Sequence, residues 1–206
     1  MNHTLDIKTA GIPLKEAQKV LIMIHGRGGS AEDILTLSRH LNVKDYALMA
    51  PQASNHTWYP YSFIAPAEQN EPWLSSAVDI IGKTVKKAVD EGIKSENIYF
   101  FGFSQGACLT MEYISRNAQR YGGAVAIIGG LIGDKINSEN YKGDFEGTPV
   151  FLGTSNPDFH VPVERVYATA NILREMNAEV TEKIYENFGH SINQEEIEWA
   201  NSIIFK

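Results

Sequence analysis

The segment Gly102-Phe103-Ser104-Gln105-Gly106 sets one serine between two glycines, directly behind the apolar run Ile98-Tyr99-Phe100-Phe101. A chain that reverses from strand to helix within about two residues strains its central residue and tolerates no bulk two positions away. Such a nucleophile elbow lifts the Ser104 hydroxyl above the carboxyl end of the strand. It also aims the unpaired N–H groups of the next helix at incoming negative charge. That geometry suits acyl transfer. The rival reading is an ordinary capping serine in a glycine-rich turn. The apolar strand before it favours the elbow, as does the helical spacing of Leu109, Tyr113 and Arg116 after it.

A serine hydroxyl is a poor nucleophile near neutral pH, so it needs a base in hydrogen-bond reach and an acid to fix that base's tautomer. Two late segments offer them. Gly153-Thr154-Ser155-Asn156-Pro157-Asp158 carries an acid out of a strand, and Phe188-Gly189-His190 puts a histidine after the last strand. Asp134 and Asp144 compete for the acid role but fall in a polar stretch where solvated loops are ordinary. The order Ser104, Asp158, His190 matches the strand-turn-helix elbow. The turn His25-Gly26-Arg27-Gly28-Gly29 leaves the Arg27 N–H free to face the elbow, where with the Gln105 N–H it would bind an oxyanion.

The remaining polar and aromatic residues have two readings each. His3, His40 and His56 belong to no motif and read as surface residues, and His25 reads as a brace for its turn. His160 either touches substrate at the rim or fastens its own loop. Arg27 either anchors its loop through its side chain or meets a polar substrate. Trp58, Tyr59, Phe63 and Trp73 crowd a proline-rich loop over residues 52–73; they read as a partly apolar substrate wall, with core packing as the alternative. No metal-ligand spacing occurs, and the chemistry needs neither metal nor cofactor.

These groups must be carried by alternating strands and helices. Strands are expected at 19–24, 46–51, 98–101, 123–128, 149–153 and 179–185, with an edge strand near 3–9. Helices are expected at 31–41, 75–92, 107–116, 161–176 and 193–204, the second with Val78, Ile81, Val85 and Val89 inward. This alternation predicts an α/β fold with a mainly parallel sheet covered by helices on both faces. Residues 129–148 are glycine-punctuated and polar, leaving little material for a cap.

At 206 residues and 43% apolar content, residues 1–206 suffice for a single domain. A net charge of −7 without a basic patch speaks against nucleic acid and anionic membranes. The start lacks a signal-peptide pattern, no run reaches membrane-spanning length, and the one cysteine, Cys108, excludes an intrachain disulfide, so a cytoplasmic location is expected. A homodimer is left open.

The H-G-x-G turn at His25, the G-F-S-Q-G-A elbow at Gly102, the D-x-x-V-P segment at Asp158 and the pair Gly189-His190 together resemble the phospholipase/carboxylesterase family of small α/β-hydrolases, which includes the acyl-protein thioesterases. The resemblance implies Ser104 as nucleophile, Asp158 as orienting acid, His190 as base, and the Arg27 and Gln105 amides as oxyanion donors. It implies a short- to medium-chain carboxylesterase working through an acyl-enzyme on a small-molecule or acylated substrate. Acyl-protein thioesterase, lysophospholipase, dienelactone hydrolase and peptidase activities are the enzymatic alternatives; a non-catalytic hydrolase-fold binding protein is the alternative outside enzymes. The segment between Gly153 and Asp158, the arginine at 27 and the aromatic loop depart from the thioesterase pattern and bear on substrate rather than on hydrolysis.

Overall fold

Uninterrupted apolar runs make the interior of the molecule, because strands buried on both faces have no polar side to show. The computed structural model describes residues 3–206. Its strands are β1 (Ile7–Gly11), β2 (Lys19–Ile24), β3 (Tyr46–Pro51), β4 (Ile98–Phe103), β5 (Gly123–Ile127), β6 (Pro149–Asn156) and β7 (Glu179–Glu186). They form one seven-stranded sheet in the order β1-β3-β2-β4-β5-β6-β7. Only β1 runs antiparallel, pairing Ile7 with Pro51 and Gly11 with Ala47. β2 and β4 lie side by side in the middle, with Ile24 opposite Gly102. Residues 20–24 and 98–101 are buried throughout, whereas the outermost strand β7 is only half-buried.

The helices are α1 (Ala31–Thr36), α2 (Trp73–Asp90), α3 (Gln105–Arg116), α4 (Val163–Glu175) and α5 (Gln194–Ile203). α1 is shorter than its pattern suggested, giving way to a 3-10 turn at Leu37–His40. α2 starts two residues earlier than expected and turns Leu74, Ala77, Ile81, Val85 and Ala88 inward; Val89 is exposed, because the true stripe drifts away from it along the helix. α3 is buried at every residue from 105 to 115, packed against β2, β4 and β5 and against α2.

Two polar residues do structural work in this core. Glu112 of α3, buried, accepts from the Ile132 N–H and the Tyr141 hydroxyl, both at 3.1 Å, and pairs with Arg116. Arg165 of α4 donates to the carbonyls of Leu131 and Gly133 at 2.8 and 2.6 Å. The stretch 129–148 is therefore not simply a solvated loop. Its charged groups Asp134 and Asp144 are exposed, but Leu131, Ile132 and Phe145 are drawn into the core.

α5 begins in a reciprocal capping box: the Glu196 N–H donates to the Asn193 side chain at 2.8 Å, and the Asn193 N–H donates to the Glu196 carboxylate at 2.9 Å. Glu196 is nonetheless buried against Gly153 of β6. Burial pushes its carboxyl from the ordinary 4.5 up to about 7, a rise that the Asn193 amide opposes. The folded state thus keeps a proton that the unfolded chain releases earlier, so this group's contribution to stability falls as pH rises between about 4.5 and about 7. Glu196→Gln should lose less stability than the parent between about pH 5 and about pH 8, by up to ~3 kcal/mol in denaturant titrations. Parallel losses in the two proteins would refute this.

Candidate active site

Ser104 stands between β4 and α3 with φ 54° and ψ −119°, a backbone conformation that costs a residue with a side chain about 1–3 kcal/mol. Close packing enforces it. A Cβ at Gly106 would collide with the carbonyls of Ile24 and His25 at the end of β2, and one at Gly102 with Gly106 and Thr110. The Ser104 N–H donates to the Ile127 carbonyl at 2.9 Å, tying the turn to β5 as well.

The segments after β6 and β7 bring the other two groups to this point. The Ser104 hydroxyl donates to His190 Nε2 at 2.8 Å, and His190 Nδ1–H donates to Asp158 Oδ2 at 2.8 Å. The Asp158 side chain has no solvent exposure. Burial opposes its ionisation, but the His160 and Val161 amides, at 2.8 and 2.9 Å, together with His190, outweigh that and hold the carboxyl below its usual range. Asp158 is thus placed as an anion that orients His190, and His190 as an acceptor for the serine proton. Ser155, which the sequence did not single out, accepts from the Phe188 and Gly189 amides at 3.1 and 2.9 Å and so positions the histidine loop.

The turn after β2 supplies backbone donors. Its Gly28 and Gly29 amides are taken by His56 O and Gly26 O, at 2.7 and 3.1 Å, which leaves the Gly26 and Arg27 N–H groups. Gln105 opens α3, so its own N–H has no partner within the helix. His25 braces the turn: Nδ1–H donates to Gly26 O at 2.7 Å and Nε2 accepts from the Ala53 N–H at 3.1 Å. Burial lowers its pKa, keeping the ring neutral in that tautomer.

The aromatic loop divides into wall and foundation. Tyr59, Phe63 and His160 line a cavity of about 140 Å³ beside Ser104, together with Arg27, Cys108 and Val161. Trp58 and Trp73 do not line it. Trp58 is fully buried because its indole N–H donates to His25 O at 2.9 Å and its backbone N–H to the Gln105 side chain at 2.9 Å. Trp73 packs edge-on against His3, with ring centroids 5.3 Å apart. His3 is itself buried, contrary to the surface reading: its ring meets Trp58 O at 2.8 Å and the Ser54 N–H at 3.1 Å. The Arg27 guanidinium is spent on Thr57, Pro60 and Tyr61, at 3.0, 3.0 and 2.8 Å. His160 is exposed, its ring edge-on to His190 at 5.0 Å. Cys108, buried at the cavity, has its thiol pushed up to about 12 by desolvation, which leaves it protonated and unreactive.

A larger, open depression of about 770 Å³ lies among Lys19, Tyr99, Arg120 and Lys206, at the amino ends of the strands and away from Ser104. Among the described residues, no group of three His, Cys, Asp or Glu side chains is placed to hold a metal ion. No helix among them is long and apolar enough to cross a membrane.

The same fold occurs among known proteins. A crystal structure of a phospholipase/carboxylesterase from Dyadobacter fermentans superimposes with a TM-score of 0.99 at 50% identity, covering 100% of this chain and 99% of that one. The chain is 26% identical to acyl-protein thioesterase 1 of Saccharomyces cerevisiae over 94% of both chains. It is 22% identical to carboxylesterase SOBER1 of Arabidopsis thaliana, covering 91% of this chain and 90% of that one. The Bacillus cereus carboxylesterase shares the fold, with a TM-score of 0.78 at 18% identity. The model of the phospholipase/carboxylesterase family matches residues 8–206, and the chain belongs to that family of α/β-hydrolases.

Proposed function

We propose that the chain is a short-chain carboxylesterase in which Ser104, His190 and Asp158 act as nucleophile, base and orienting acid. The observation that carries this reading is the unbroken Ser104–His190–Asp158 line, with 2.8 Å at each link. His190 takes the Ser104 proton as Oγ attacks the acyl carbon, and the Arg27 and Gln105 amides receive the charge that develops on the carbonyl oxygen. His190 then returns the proton to the leaving alcohol or thiol and activates water against the acyl-enzyme. Thioesters follow the same course, so a thioesterase of short acyl groups is the reading next in line. The single cysteine, buried and unreactive, supports a cytoplasmic setting.

The size of the acyl group follows from the cavity. A cavity of about 150 Å³ holds a benzene-sized molecule, so the 140 Å³ beside Ser104 has room for an acyl group of about six carbons. A long fatty acyl chain has no enclosed space there.

Three measurements test this reading. A fluorophosphonate probe should label the protein once, on Ser104, and Ser104→Ala should abolish the label; a folded parent protein that takes no label would sink the esterase reading. Asp158→Asn should lower kcat by about 10⁴-fold with little change in KM, since it spoils the tautomer of His190 and leaves binding alone. Across 4-nitrophenyl esters of rising acyl length, kcat/KM should peak among the short members and fall beyond about six carbons; a maximum at long chains would contradict a site shaped by this small cavity.

A further inference from the structure

We propose that the loops carrying Asp158 and His190 form an apolar leaving-group subsite, and that Phe159 and Phe188 select esters whose alcohol is a neutral aromatic or bulky apolar group. The proposal rests on the esterase reading above and adds the other half of the substrate.

The leaving side is fixed by proton transfer. When the bond from the acyl carbon to the leaving oxygen breaks and the bond to Ser104 Oγ has formed, the proton taken from Ser104 passes from His190 Nε2 to that oxygen. The leaving oxygen must therefore come within hydrogen-bond reach of His190, and whatever it carries lies over the loops that hold His190. Those loops meet at the 2.8 Å bond between His190 and Asp158. Phe159 follows Asp158 directly, and Phe188 precedes His190 by two residues.

A single exposed phenylalanine needs no explanation. Here two of them lie within two residues of the same bonded pair of groups along the chain. Phe159 is 96% exposed and Phe188 is 46% exposed, although the protein buries most of its other large apolar side chains. His160, edge-on to His190, adds a third ring to the rim. The backbone around each is tied down, by the Asp158 carboxylate on one loop and by Ser155 on the other. The rings are thus presented from fixed backbone, and an aromatic partner gains about two- to tenfold per ring pair beyond its area.

Charge narrows the class further. Residues 157–162 and 187–192 contain no lysine or arginine, and Asp158 is their only acidic residue. The Arg27 guanidinium at the cavity is already bonded to Thr57, Pro60 and Tyr61. A polyphosphate or sulfonate leaving group would meet no counter-charge on these loops. The acyl side is a small, half-open cavity of about 140 Å³; the loops on the leaving side carry exposed aromatic rings.

The test compares 2-naphthyl acetate, its sulfonated analogue and ethyl acetate, each kcat/KM divided by the ester's own hydroxide-catalysed rate constant. In the parent protein the neutral naphthyl ester should lead. The naphthyl-to-ethyl ratio should fall about tenfold in Phe159→Ala, and further when Phe188→Ala is added. An unchanged ratio, an equal loss on both esters, or a sulfonated ester that matches the neutral one would overturn the proposal. So would a dimer in sedimentation that dissociates on Phe159→Ala with the ratio intact, since the rim would then belong to a second copy. If the parent hydrolyses no acetate and Ser104 takes no fluorophosphonate, it is the esterase reading that fails.

Discussion

The approach of α3 to the end of β2 is the contact on which the site depends. At Gly106 the helix sits against the Ile24 and His25 carbonyls with no space for a methyl group, and this jams the turn before it. Ser104 has nowhere else to go, so its unfavourable backbone is maintained by packing rather than by any bond to the side chain. The cost of about 1–3 kcal/mol is offset by a helix buried along nearly its whole length. The same contact brings the turn after β2 alongside the first amide of α3. Ser104 and the first backbone N–H of α3 are therefore positioned by one interface between a strand and a helix.

Around that interface the polar groups are committed before substrate arrives. The Gln105 side chain donates to Tyr59 O at 2.8 Å and accepts from the Trp58 amide at 2.9 Å, while its own N–H stays free at the start of α3. His25 and His3 each use both ring nitrogens on backbone groups, and burial lowers the pKa of each. Neutral rings in fixed tautomers act here as rigid spacers under the aromatic loop. A loop of this length would otherwise be among the more mobile parts of a domain. Fixed dipoles are what an oxyanion needs, because donors already aligned do not have to reorganise as charge develops.

Much of this was legible from residues that have few alternatives. Two glycines around a serine, an aspartate behind one late strand and a histidine behind the last are constrained by covalent geometry and strand direction, and the alternating apolar runs placed those strands. The parts that escaped depend on contacts far apart in sequence. His3 looked like a surface residue because nothing near it predicts a partner at Trp58, 55 positions away. Ser155 gave no signal beyond an unusual segment before Asp158. Trp58 and Tyr59 are neighbours of similar character, yet one lies under the loop and the other faces the cavity, a distinction set by which backbone groups are left needing a donor. Val89 fits a helical period and is exposed all the same, since the buried stripe runs through Ala77, Ile81, Thr84 and Ala88 and leaves Val89 to one side.

Arg27 separates two functions that most residues keep together. The residue lines the cavity beside Ser104, and its side chain latches the loop through Thr57, Pro60 and Tyr61. The amide is the same for any residue that keeps the turn, whereas the latch belongs to arginine alone. A substitution at this position that keeps the turn leaves the backbone N–H in place while releasing the segment held at Thr57, Pro60 and Tyr61.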